Sequence, residues 1–125
     1  AYSALGEAIA GSAGGFLYHC AVGKDRTGVA TMLLLELAGV PDELIIEDYS
    51  HSAELLRPVF ERWTEYLVKN NQDPEAVKPQ QTSNPADIAH TLAHLRDRWG
   101  SASNYFRAAG VEAETVSAVR ARLIE

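Results

Sequence analysis

Residues 16–28 read FLYHCAVGKDRTG. The run from Phe16 to Cys20 is mostly apolar and aromatic, and two glycines precede it; this is the pattern of a short buried strand. Gly23 then marks a turn, and a leucine-rich stretch typical of a buried helix begins at about Arg26. The sequence therefore predicts a strand, a tight loop and a helix in immediate succession.

Residues 20–28 run from the end of the strand into the start of the helix. This segment predicts an anion-binding loop, and we call it the anion loop. A loop in this position directs backbone N–H groups into one concavity at the positive end of the helix dipole. The loop dipoles together with Lys24 and Arg26 would favour the thiolate of Cys20 over the thiol. Five residues separate Cys20 from Arg26, so the guanidinium can turn back toward the sulfur and match two phosphate oxygens.

These residue types predict phosphoryl transfer through a phosphocysteine. The Cys20 thiolate would attack phosphorus while Arg26 and the loop N–H groups hold the oxygens, and water would then hydrolyse the intermediate. Asp25 is the candidate acid for the leaving group; alternatively, it only caps the helix or braces Arg26. Thr27 is expected to donate a hydrogen bond to the sulfur. No metal and no cofactor is predicted. The predicted phosphate-binding residues are Ala21, Val22, Gly23, Lys24, Arg26 and Thr27.

The rest of the chain has helical patterning, with a polar, proline-containing loop predicted over residues 70–83. Gly39 is expected to end the buried helix, Pro41 to open the next helix, and Asn84 to begin another. The predicted fold class is therefore α/β, mostly helical, with one core strand that leads into the anion loop. A single buried strand needs ladder partners, and we expect them upstream of Ala1. On this reading residues 1–125 are the part of a single domain that carries the catalytic loop.

Length, net charge, hydropathy and cysteine count limit the kinds of function that this chain could have. The chain has 125 residues, the size of one domain, and a net charge of −6, which disfavours nucleic-acid binding. No apolar run approaches the ~18 residues of a membrane span, and the single cysteine excludes an internal disulfide. His90 and His94 are four residues apart without a third ligand nearby, so they are interpreted as an ordinary helix face rather than a metal site.

The string HCAVGKDRTG, residues 19–28, followed by a leucine-rich helix and Gly-Val-Pro at 39–41, resembles the loop HCxxGKDRTG of the atypical bacterial tyrosine phosphatases. The segments at 99–105 (Trp-Gly-Ser-x-x-x-Tyr) and 109–111 (Ala-Gly-Val) are similar to that family's C-terminal helices. The resemblance implies a tyrosine-phosphatase-like fold, Cys20 as nucleophile, Arg26 as phosphate binder, and phosphotyrosine proteins as substrates, with dual specificity in some members. It also implies further upstream chain of the same protein, either continuous with this segment or present as a separate chain.

Three other functions fit the loop. A phosphoinositide phosphatase is the nearest alternative, because in lipid phosphatases a loop lysine such as Lys24 contacts an extra phosphate. A sulfurtransferase also places a cysteine in an anion-binding loop, although it needs neither Thr27 nor an acid. A binding module would hold a phosphorylated residue without turnover. By analogy with the family, the protein would be cytoplasmic or secreted.

Overall fold

The computed structural model describes residues 2–124, which form seven α-helices and one 3₁₀ helix. The α-helices are α1 (Tyr2–Gly11), α2 (Asp25–Ala38), α3 (Asp42–Leu55), α4 (Arg57–Lys69), α5 (Pro85–Trp99), α6 (Ala102–Ala108) and α7 (Ala113–Ile124), and the 3₁₀ helix spans Pro74–Gln81. Within this part of the chain, none of the helices is both long enough and apolar enough to cross a membrane.

The centre of the molecule is α2. Its buried residues are Ala30, Met32, Leu33, Leu34 and Leu37, and it contacts α3, α5, α6 and α7. The surrounding helices contribute fully buried side chains to the same core, among them Ile9, Ile45, Ile88, Phe106 and Val119. The prediction of a buried helix directly after the anion loop is therefore confirmed.

Local capping residues begin and end the helices as the sequence predicts. Gly39 closes α2 with a φ of 87°, a left-handed conformation that glycine adopts without steric cost. Pro41 precedes α3, whose first turn carries Asp42 and Glu43. The side chain of Asn84 accepts a hydrogen bond of 3.0 Å from the N–H of Ala86 at the start of α5, as expected for an N-cap.

The predicted α/β fold with a core strand is wrong. The structure contains no strand within residues 2–124, and Phe16 and Leu17 are 39% and 91% exposed rather than buried. A strand exists through its ladder partners, and the described residues offer none to this segment. Side chains hold it instead: the hydroxyls of Tyr18 and Thr31 hydrogen-bond at 2.8 Å. The expected partners upstream of Ala1 lie outside the described residues.

The loop predicted over residues 70–83 is only partly correct. Its middle forms the 3₁₀ helix, which begins where the Asp73 side chain accepts a 2.9 Å hydrogen bond from the N–H of Glu75. Pro74 follows in the first turn, where its missing N–H costs nothing. The polar composition that indicated a loop is also compatible with this short, solvent-exposed helix, since none of its residues is buried.

Candidate active site

The anion loop turns tightly between the extended segment and α2. Gly23 has a φ of 72°, which favours glycine at this position, and the N–H of Gly28 donates to the carbonyl of Lys24 at 2.7 Å. Ala21 is exposed and Val22 is partly buried. The turn brings the backbone N–H groups of Gly23, Lys24 and Thr27 to the Cys20 sulfur, where each lowers the thiol pKa. The loop therefore forms the concavity of N–H groups that the sequence predicts.

The pKa of the Cys20 thiol is lowered to about 6. The largest cause is the hydrogen bond from the Thr27 hydroxyl, and the loop N–H groups add to it, while partial burial of the thiol opposes them. The principal favourable causes are thus hydrogen bonds, and not the charges of Lys24 and Arg26 that the sequence also indicated. With a pKa near 6, the thiolate predominates at neutral pH, and the thiolate is the nucleophilic form.

Cys20 opens into a cavity of about 240 Å³. Its lining residues are Tyr2, Leu5, Tyr18, His19, Cys20, Arg26, Thr27 and Ala30. The Tyr2 hydroxyl donates to the carbonyl of Arg26 at 3.3 Å, which ties α1 to the first turn of α2. The exposed His19 places Nδ1 2.9 Å from the Cys20 carbonyl oxygen. The structure thus places Cys20, Arg26 and Thr27 around one opening that also has aromatic walls, whereas Asp25 is not among the residues that line it.

Within the anion loop, Lys24 and Asp25 form an ion pair. Lys24 is only 3% exposed, and its Nζ donates to Asp25 Oδ1 at 2.5 Å. The Asp25 side chain is 63% exposed. The ammonium of Lys24 therefore points to its neighbouring carboxylate and is withdrawn from solvent.

Tyr49 of α3 completes this arrangement, although no sequence motif indicated it. Its hydroxyl donates to Asp25 Oδ1 at 3.3 Å, and burial, followed by the charge and hydrogen bond of Asp25, raises its pKa to about 12. The ring lies so close to Gly28 that a Cβ added there would be 2.6 Å from Tyr49 Cδ2. A glycine inside a helix usually costs stability, so Gly28 was the one local sign that another element approaches here.

A model of the tyrosine phosphatase family matches residues 1–125. The chain belongs to the tyrosine phosphatase family. This confirms the family indicated by the resemblance.

Two curated relatives illustrate the match. The chain is 32% identical over 123 residues to a tyrosine-protein phosphatase of Nostoc commune. The aligned region covers 88% of this chain and 39% of the relative. It is 28% identical over 120 residues to a triple specificity protein phosphatase of Mycobacterium tuberculosis. Here the aligned region covers 86% of this chain and 43% of that relative. The chain therefore spans less than half the length of these phosphatases.

Proposed function

We propose that residues 1–125 are the part of a single phosphatase domain that carries its catalytic loop, and that this loop hydrolyses phosphomonoesters of phosphotyrosine proteins. The observation that carries the proposal is a thiol with a pKa of about 6, surrounded by the Thr27 hydroxyl and loop N–H groups and lining one cavity with Arg26. Membership of the tyrosine phosphatase family supports it.

The first half-reaction forms a phosphocysteine. The Cys20 thiolate forms an S–P bond as the ester P–O bond breaks, and the leaving oxygen takes a proton from Asp25. Arg26 and the loop N–H groups stabilise the charge on the non-bridging oxygens in the transition state. Because the nucleophile is already ionised near neutral pH, this step needs no separate base.

The second half-reaction releases phosphate. Water attacks phosphorus, gives a proton to the Asp25 carboxylate and displaces the Cys20 thiolate, so that the S–P bond breaks and the enzyme returns to its initial state. The Thr27 hydroxyl, which is the largest cause of the lowered thiol pKa, stabilises the departing thiolate. The chemistry is complete without a metal ion.

The position of Lys24 favours phosphoproteins over phosphoinositides as substrates. A lysine that binds an additional phosphate must present its ammonium at the mouth of the site, but Lys24 is 3% exposed and paired with Asp25. Tyr2 and Tyr18 in the cavity wall offer aromatic surface to a phosphotyrosine ring. The name of the triple specificity relative supports a specificity broader than phosphotyrosine alone.

The proposal is tested by hydrolysis of 4-nitrophenyl phosphate by the chain, with and without a chelator. We expect turnover that survives the chelator and is abolished in Cys20→Ser. Arg26→Lys should lower turnover by at least ~10-fold because a lysine cannot replace the bidentate fork, whereas Arg120→Lys on α7 should not change it. A chain that binds vanadate without turnover would overturn the proposal that residues 1–125 hydrolyse phosphomonoesters, and would instead support a binding module or a requirement for the remaining part of a longer phosphatase.

A further inference from the structure

Two donors from different elements converge on one oxygen of Asp25. Lys24 Nζ and the Tyr49 hydroxyl lie 2.5 Å and 3.3 Å from Oδ1, respectively. Among the hydrogen bonds of residues 2–124, Oδ2 has no partner, and the side chain is 63% exposed. The two carboxyl oxygens are therefore distinct, since one is anchored and the other is open.

We propose that Tyr49 is a positioning residue for Asp25: with Lys24 it anchors Oδ1, so that Oδ2 carries the proton to the leaving group. This inference rests on the proposed function. It assigns Tyr49, 24 residues away in the chain, to the acid step, although Tyr49 is not among the residues that line the Cys20 cavity.

Packing fixes the Tyr49 hydroxyl in place. Tyr49 is 7% exposed, and its ring lies against Gly28 at a distance that no Cβ would permit. Lys24, the second donor, is also buried. An exposed carboxyl rotates readily about its terminal torsion, but two donors held by the core restrict that rotation, and catalytic groups depend on such support.

The protons and bonds balance around the anchored carboxyl. In the reacting form Asp25 carries a proton on Oδ2, and in the first half-reaction this Oδ2–H gives its proton to the ester oxygen while the P–O bond breaks and the S–P bond forms. The carboxylate left behind still accepts from Tyr49 and Lys24 at Oδ1, which stabilises the new charge. In the second half-reaction Oδ2 takes a proton from the attacking water. Tyr49 stays a neutral donor throughout because its pKa is about 12.

The test compares two aryl phosphates in the chain and in Tyr49→Phe, which removes the hydroxyl and keeps the ring against Gly28. General acid catalysis contributes roughly 10²–10⁴-fold, and most for a poor leaving group. We expect Tyr49→Phe to lower kcat about 10-fold more for phenyl phosphate than for 4-nitrophenyl phosphate, reflecting partial loss of this contribution. Tyr66→Phe, at an exposed tyrosine of α4, is the matched control and should leave the ratio of the two kcat values unchanged.

Each other outcome has a defined meaning. Equal losses on both substrates would indicate a merely structural role for Tyr49, and no loss on either would indicate no role; both overturn the inference. A parent chain that hydrolyses neither substrate would overturn the proposed function instead, and the inference with it.

A measurement without turnover tests the contact itself. The charge and hydrogen bond of Asp25 contribute to the raised pKa of Tyr49, which is about 12. In Asp25→Asn we expect that pKa to fall, as followed by the ring-carbon resonance of Tyr49 in NMR titrations. An unchanged titration of Tyr49 in Asp25→Asn would overturn the inference even if kinetic differences were seen.

Discussion

At the scale of single residues, the Thr27 hydroxyl serves both the backbone and the sulfur of Cys20. Its oxygen accepts a 3.0 Å hydrogen bond from the Cys20 N–H, and its hydrogen bond to the thiol is the largest cause of the lowered pKa. A hydroxyl has one proton to donate and two lone pairs to accept with, so it can make both bonds together. Removing it should therefore affect the loop backbone and the thiol chemistry at the same time.

We predict that Thr27→Val raises the pKa of Cys20 above its value of about 6, because valine keeps the branched shape but lacks the hydroxyl. Thr27→Ser keeps the hydroxyl and is the matched control. The measurement is the rate of alkylation by iodoacetamide against pH, which reports Cys20 alone because the chain has one cysteine. If the midpoint in Thr27→Val stays at that of the parent chain, the hydroxyl does not govern the thiol.

The same pKa predicts a pH dependence of stability. The folded chain holds the thiol pKa near 6, whereas an unfolded cysteine titrates at about 8.5. The stabilisation from ionised Cys20 is therefore complete above about pH 8.5 and is lost as the pH falls through the folded value. We expect the Tm of the parent chain, relative to Cys20→Ala, to increase between about pH 5 and about pH 9. A constant difference in Tm over this range would contradict the lowered pKa.

At the scale of elements, the contact between α2 and α3 depends on Gly28 in the first turn of α2. Replacing glycine by alanine in a helix gains about 1 kcal/mol from propensity alone. At Gly28, however, the new methyl group would lie 2.6 Å and 2.8 Å from two ring carbons of the buried Tyr49, and such overpacking costs roughly 1–3 kcal/mol. The cost of this steric overlap should therefore exceed the gain in helix propensity.

We therefore predict that Gly28→Ala lowers the free energy of unfolding by about 1 kcal/mol and displaces the Tyr49 hydroxyl from Asp25. Gly6→Ala in α1 is the control, since its methyl group would meet Phe106 at an ordinary 3.5 Å; it should stabilise by up to about 1 kcal/mol. Urea denaturation of the three chains measures both changes. A Gly28→Ala chain as stable as Gly6→Ala would show that Tyr49 moves aside without cost.

The elements predicted correctly are those whose ends are set by local residues. Asn84 begins α5 through its own side chain, and Gly39 ends α2 through its own backbone conformation. The strand prediction fails because strand formation depends on partners far away in the chain, which an apolar run such as Phe16–Cys20 cannot report. The exposed side chain of Leu17 illustrates that apolar composition alone does not determine burial.

The same distinction between local and distant determinants applies to the residues of the candidate site. Residues 20–28 are contiguous, so the motif names Cys20, Arg26 and Thr27 together, and their assignment as catalytic or phosphate-binding residues remains a prediction. Tyr49 could not be named, because its contact with Asp25 spans 24 positions and follows from how α3 packs on α2. The burial of Lys24 was equally out of reach, since a loop lysine is normally expected in solvent.

At the scale of the whole molecule, one helix serves both stability and chemistry. The interior of α2 is the centre of the core, while its first turn carries Asp25, Arg26 and Thr27. The anion loop is thus continuous with the helix at the centre of the core, and its geometry is lost when the chain unfolds globally. A ligand that needs the folded loop must therefore stabilise the entire chain by mass action.

We predict that vanadate raises the Tm of the chain in a concentration-dependent manner. At a vanadate concentration of 100 times its Kd, the free energy of unfolding should increase by about 2.7 kcal/mol. The net charge of −6 repels anions in general, so a stabilising oxyanion must be bound locally, and Arg26→Lys should remove most of the shift. Differential scanning fluorimetry at several vanadate concentrations measures this. An equal Tm shift in Arg26→Lys would place the anion elsewhere, for instance in the cleft lined by Arg107 and Arg120. The absence of a Tm shift in the parent chain would contradict an anion site in the loop.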